Sequence, residues 1–175
     1  MVTSTKLRSR INDLSSLAAL DVAALGELYA GGTASRLDAL EGFPRGRMLA
    51  IRGLDRGMFG GMLRRFAGSA SFPWDGKSFT GRGATGNGIN RVTMFGRHNL
   101  FPFVTSIRPS VIDHAPCIVL DYDQPENPPA IRAIHDELRE IEPGLYLGPA
   151  MVKTKTEPKF VLWFALDTTV QSTGR

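Results

Sequence analysis

The sequence predicts a mainly β fold of the α+β class: an antiparallel β-barrel or strongly curved sheet, with helices at the front and one inserted late. Three observations point there. About seven stretches read as strands, most of them joined by short turns rather than by the long crossovers of a parallel sheet. Nineteen glycines and eleven prolines in 175 residues favour turns over long helices. The capped, one-sided apolar helical patterns cluster before Arg45.

Residues 1–11 are polar and read as a flexible N-terminal segment. Asn12 or Asp13 can cap a short helix carrying Leu14, Leu17 and Leu20. Asp21 can cap a second, with Ala24, Leu25, Leu28 and Tyr29 on one face and Gly31-Gly32 as its stop. Ser35 opens a further turn with Leu37 and Leu40, ended by Gly42 and Pro44. Such short amphipathic helices must pack on something larger. Arg45 to Ile51 reads as the first strand. From Leu54 to Phe66 the period changes, with Leu54, Met58, Phe59, Met62, Leu63 and Phe66 at helical spacing. This stretch reads as an amphipathic helix over one end of the sheet, as a lid on a hydrophobic pocket, or as a peripheral membrane contact.

Ser71 to Phe79 is the next strand. The glycine-rich run Gly81 to Gly88 lacks the Gly-Lys-Ser/Thr of a phosphate loop and opens no helix after a strand, so it reads as a flexible hairpin loop. Ile89 to Phe95 and Phe101 to Ile107 alternate, and the first presents Asn90 or Arg91 to solvent or to a cavity. Pro116 to Asp123 is an apolar strand ending in Asp121-Tyr122-Asp123. Asn127 and Pro128 are good cap and first-turn residues for a helix to about Ile141, burying Ile131, Ile134, Leu138 and Ile141. Leu145 to Val152 and Lys159 to Leu166 close the sheet. The last strand is apolar on both faces and should lie between two hydrophobic layers. Residues 12–167 therefore form one barrel domain, and 168–175 read as a C-terminal tail.

The net charge of +4 is spread along the chain, so no nucleic-acid partner is expected. A single cysteine, Cys117, excludes an internal disulfide and suits a reducing compartment; within its apolar run it reads as a small buried hydrophobe. The first residues carry no apolar core of a secretory signal, and no run approaches the roughly 18 apolar residues of a membrane-spanning helix, so a cytoplasmic location is expected.

Trp74-Asp75-Gly76-Lys77-Ser78-Phe79 gives a Trp-x-Gly-Lys-x-Phe segment. It is followed by Asp121-Tyr122-Asp123-Gln124-Pro125 and a closing aromatic strand. In this order the chain resembles the small bacterial GXWXG-type domains of unknown function over about residues 30–167. The resemblance implies a calycin-like, lipocalin-type barrel with one interior cavity. The family's leading Gly-x-Trp-x-Gly falls at Gly42-Phe43-Pro44-Arg45-Gly46, where Pro44 stands in place of the tryptophan.

For chemistry, Asp121 and Asp123 share one face of their strand and Tyr122 takes the other. Pointing into an apolar cavity, the two carboxylates would repel, and one would titrate near neutrality as an acid or base. At a strand end they would instead face water. His114 is the remaining acid–base candidate. The three histidines are scattered and no His-x-x-x-His or Cys-x-x-Cys occurs, so no metal site and no cofactor are expected. Nor is there a Gly-x-Ser-x-Gly elbow. Trp74, Lys77, Arg91, Tyr146 and Lys153 are the candidates for lining the cavity. A cation inside a barrel needs an anionic partner, either Asp121 or a ligand carboxylate. Otherwise Trp74 plugs the barrel and the cations face out. These features predict a barrel that holds a hydrophobic or amphipathic small molecule. The alternative is a cofactor-free isomerase, cyclase or lyase using Asp121, Asp123, Tyr122 and His114 in the same cavity.

Overall fold

Eight antiparallel strands close into a barrel, each hydrogen-bonded to the next and the eighth back to the first. They are β1 (Pro44–Ile51), β2 (Trp74–Arg82), β3 (Thr85–Val92), β4 (His98–Pro109), β5 (Pro116–Asp121), β6 (Ile134–Glu142), β7 (Leu145–Val152) and β8 (Lys159–Gln171). The structure is a computed structural model describing residues 11, 13–51, 74–92 and 98–171. The sequence-predicted helix Leu54–Phe66 lies outside the described residues.

Among the described residues, two helices and a 3-10 turn precede the barrel. Asp13 caps α1 (Leu14–Ala18), its carboxylate accepting from the Ser16 N–H at 2.7 Å. Asp21 caps α2 (Val22–Ala30) in the same way through the Ala24 N–H. Their apolar faces pack on the outside of β1, β6, β7 and β8, forming one core with Leu49, Ile141, Leu147, Trp163 and Ala165. The Trp163 indole N–H donates to the Val22 carbonyl and so ties α2 to β8. A second core fills the barrel with Phe79, Phe103, Ile118, Leu120, Leu138, Tyr146, Leu162, Phe164 and Leu166. Leu37 and Leu40 of the 3-10 turn (Leu37–Leu40) join that interior core. β8 thus lies between two hydrophobic layers, as its two apolar faces require.

Three elements differ from the sequence expectation. The late helix is one turn, α3 (Pro129–Arg132), and the rest of the expected helix is β6. On β6, Leu138 enters the barrel core while Ile141 joins the core beneath α2, which period two demands and a helical stripe forbids. The glycine-rich run is mostly strand: Arg82 pairs with Thr85, so Gly83-Ala84 alone form the turn, and Gly83 has a φ of +87°. Gly88 is bare because a Cβ there would come within 2.3 Å of the Phe103 ring. Lastly, residues 168–171 belong to β8 rather than to a tail; Gln171 pairs with Pro44.

Candidate functional site

One end of the barrel interior is not filled. The space measures about 130 Å³ and is walled mainly by Met48, Val92, Phe101, Ile131, Ile134, Leu162 and Phe164. An apolar space on the order of 150 Å³ can hold a benzene-sized molecule. Four polar side chains border it: Lys77, Asn90, Tyr122 and Asp136.

A bulge brings the first of these inside. Register shifts between Trp74 and Gly76, so Trp74 and Lys77, three residues apart, both face the cavity. Only glycine suits the bulge. Gly76 has a φ of +129°, and a Cβ there would lie 2.3 Å from the Pro44 carbonyl oxygen. The Trp-x-Gly-Lys-x-Phe spacing is therefore a structural unit: two cavity residues, the glycine that aligns them, and Phe79 in the core behind.

Lys77 is 3% exposed. Its Nζ donates to Asn90 Oδ1 at 2.8 Å, to the Tyr122 hydroxyl at 2.5 Å and to Asp136 Oδ2 at 3.2 Å. The rings of Trp74, Phe103, Tyr122 and Phe164 surround it with centroids 5.0 to 5.3 Å away, within cation–π range. Burial pulls the Lys77 amine below its ordinary value, and Asp136 opposes that pull. Burial first, and the neighbouring Asp136 second, push the Tyr122 phenol well above its ordinary value, so it stays protonated. The Tyr122 hydroxyl donates to Asp136 Oδ2 at 3.2 Å and accepts from Asn90 Nδ2 at 3.1 Å. Asn90 Oδ1 also accepts from the Trp74 indole N–H at 3.3 Å. Asp136 is 4% exposed and its other oxygen, Oδ1, has no hydrogen-bond donor within reach among the described residues.

The structure distributes the sequence-predicted residues unevenly. Trp74, Lys77 and Tyr122 come together at the cavity. Asp121 and Asp123 do not, because the inward face of β5 runs Ile118, Leu120, Tyr122. Asp121 lies on the outer side, 3.0 Å from Lys153 Nζ, and Asp123 pairs with Arg132 at 2.6 Å near the surface. Partial burial raises the Asp121 carboxyl, but hydrogen bonds from Lys153 and the Asp123 N–H outweigh it. The net shift is downward, opposite to the expected mutual repulsion of two enclosed acids. His114 sits exposed in the β4–β5 connection with a φ of +61°. Arg91 faces away from its cavity-lining neighbour Asn90 and donates to the Phe43, Pro44 and Asp75 carbonyls. Tyr146 is inside the barrel but in its filled part, accepting from Ser35 Oγ at 2.8 Å. Lys153 is part-exposed.

Asp136 is the functional candidate absent from the sequence reading, because the helix expected over Pro128–Ile141 hid it. Strand alternation through Ile134, Asp136 and Leu138 would have placed it inside. Cys117 is buried, its thiol pushed up to about 12 by burial and the nearby Glu137. It behaves as a small hydrophobe. Among the described residues no group of three or more His, Cys, Asp or Glu could hold a metal ion, and no helix is long and apolar enough to cross a membrane.

A scan against protein-family models finds no match, and a search of curated proteins finds none. Among solved structures the chain is similar to a protein from Thermomonospora curvata known by its crystal structure. The two are 20% identical, with a TM-score of 0.53 over 94% of this chain and 96% of the other. That likeness concerns the fold.

Proposed function

We propose that the barrel binds a small, largely apolar molecule in its interior, with the molecule's polar end toward Lys77, Asn90, Tyr122 and Asp136. The observation that carries this reading is the unfilled apolar space of about 130 Å³ with a single buried polar cluster on its wall. Pockets built for small ligands have this composition: apolar walls, and a few convergent polar groups that fix orientation. The Trp74–Phe79 resemblance to GXWXG-type domains supports the same reading, since it implies a lipocalin-type cavity. Displacement of a fluorescent hydrophobic probe by alkyl and aryl compounds tests it. Ala150→Phe should fill the space from the position directly opposite Asp136 and weaken binding by about tenfold or more. A wild-type protein that binds none of a broad apolar panel would sink the reading.

One observation favours a second reading, a cofactor-free isomerase, cyclase or lyase. The Tyr122 hydroxyl lies between Lys77 Nζ and Asp136 Oδ2, an arrangement able to pass a proton along the buried wall. The groups concerned differ from the sequence candidates: Tyr122 remains, and Lys77 and Asp136 replace Asp121, Asp123 and His114. Turnover of a bound compound that disappears in Tyr122→Phe while its binding persists would favour the enzyme.

A further inference from the structure

We infer that the cavity selects neutral ligands carrying a hydrogen-bond donor, an alcohol or a comparable O–H or N–H group, and discriminates against carboxylates. This rests on the reading of the barrel as a ligand-binding protein and assigns that ligand's head-group chemistry.

Two features of the polar wall carry it. The first is charge. Lys77 has its counter-ion inside the protein, Asp136 at 3.2 Å, so the wall is already neutral. An incoming carboxylate would bring an unpaired negative charge into an apolar space beside Asp136, at a large desolvation cost. A lone buried lysine would invite an acid; a lysine paired in this way does not.

The second is hydrogen-bond capacity. The three Lys77 protons are directed at Asn90, Tyr122 and Asp136. The Tyr122 proton goes to Asp136 Oδ2. Asn90 Nδ2 reaches the Tyr122 hydroxyl and the Phe101 carbonyl. Every donor of the wall is thus engaged, while one strong acceptor, Asp136 Oδ1, has no donor among the described residues. A buried carboxylate oxygen without a partner is costly, and bonds to a charged acceptor are the stronger class. A ligand that donates there gains, and one that only accepts finds no free donor.

Titration calorimetry with octanol, methyl heptyl ether and octanoate tests this, because the three share an alkyl body and differ at the head. Octanol should bind about tenfold or more tightly than either of the others. Asp136→Asn should narrow the gap between octanol and octanoate, since it removes the anion that repels the acid. Should that variant fold poorly, Lys77→Met/Asp136→Leu replaces the pair with apolar groups. It should bind octanol and the ether equally. Octanoate or the ether binding wild type as tightly as octanol would overturn the inference and leave the ligand-binding reading standing. Binding of none of the three would overturn that reading, and the inference with it.

Discussion

β6 carries two buried polar clusters on opposite faces, and they are built to different ends. Inside the barrel, Asp136 meets Lys77 and Tyr122 beside a cavity and keeps one oxygen without a donor among the described residues. Outside, under α2, Glu137 is 0% exposed and both its oxygens are engaged. Oε2 accepts from the Tyr29 hydroxyl at 2.5 Å and Ser110 Oγ at 2.6 Å. Oε1 accepts from the Val111 N–H at 2.8 Å and lies 3.1 Å from His135 Nε2. Two residues on, the Arg139 guanidinium makes hydrogen bonds through each of its nitrogens: to Asp113 through both carboxylate oxygens, and to the Tyr29, Ala115 and Pro116 carbonyls. Its charge also sits 4.4 Å from the Tyr29 ring centre. The outer cluster is saturated among the described residues. It latches α2 and the β4–β5 connection onto the barrel. The inner cluster is incomplete and borders space. Saturation suits a structural role; a leftover acceptor beside a cavity is what the proposed ligand-binding role requires.

Removing each cluster in turn separates the two roles. Glu137→Ala takes the shared acceptor from the Tyr29 and Ser110 hydroxyls and the Val111 N–H in a buried place, leaving the hydroxyls only each other, and should cost about 4 kcal/mol in denaturant unfolding. Lys77→Met/Asp136→Leu exchanges an ion pair for apolar groups while Tyr122 and Asn90 keep each other as partners, and should change stability by no more than about 1 kcal/mol. Equal losses at the two sites would mean that the inner cluster also serves chiefly to hold the fold.

A smaller effect is read from acid. Burial would raise the Glu137 carboxyl, but the bonds from His135, Ser110, Tyr29 and Val111 together pull it down to about 2, from an ordinary 4.5. A carboxyl depressed in the folded state stabilises it fully above the unfolded value and loses that contribution as pH falls through the folded one. Unfolding free energy should therefore drop by about 3 kcal/mol on this account as pH falls from about 5 to about 2. Glu137→Gln, tested by urea melts across that window, should show a shallower slope by that amount. Identical slopes would show that the outer latch is held by something other than the ionised carboxylate.

The two faces of β6 also mark the limit of what the sequence disclosed. Caps at Asp13 and Asp21, the strands β5 and β7, and the doubly apolar β8 were all legible, because each rests on local patterning. β6 was not. Its positions 136, 137 and 139 are charged yet buried, each paired with a residue far off in the chain: Lys77, Tyr29 with Ser110, and Asp113. That broke the alternation, and Ile131, Ile134, Leu138 and Ile141 then matched a helix. The phase of β5 was hidden in a similar way. Its run is apolar on both faces, so nothing local decided whether Asp121 or Tyr122 turned inward. Trp74 and Lys77 share a wall only through the bulge at Gly76, which strand alternation does not foresee.

The smallest expected effect concerns the residue that local reasoning favoured most. Asp121 and Lys153 are 30% and 36% exposed at their side chains and 3.0 Å apart on the outer side of the barrel. Exposed pairs of this kind contribute about 0 to 1 kcal/mol, because water screens the attraction and both side chains lose freedom. Asp121→Asn should shift stability within that range, part of it from the Asp123 N–H that the carboxylate also accepts. It should leave probe affinity in the cavity unchanged, since Leu120 and Tyr122, not Asp121, face the interior from this strand. The outcome that would undo the assignment is a loss of binding at full stability. It would mean that the outer rim near Lys153, rather than the wall formed by Lys77, Tyr122 and Asp136, receives the ligand.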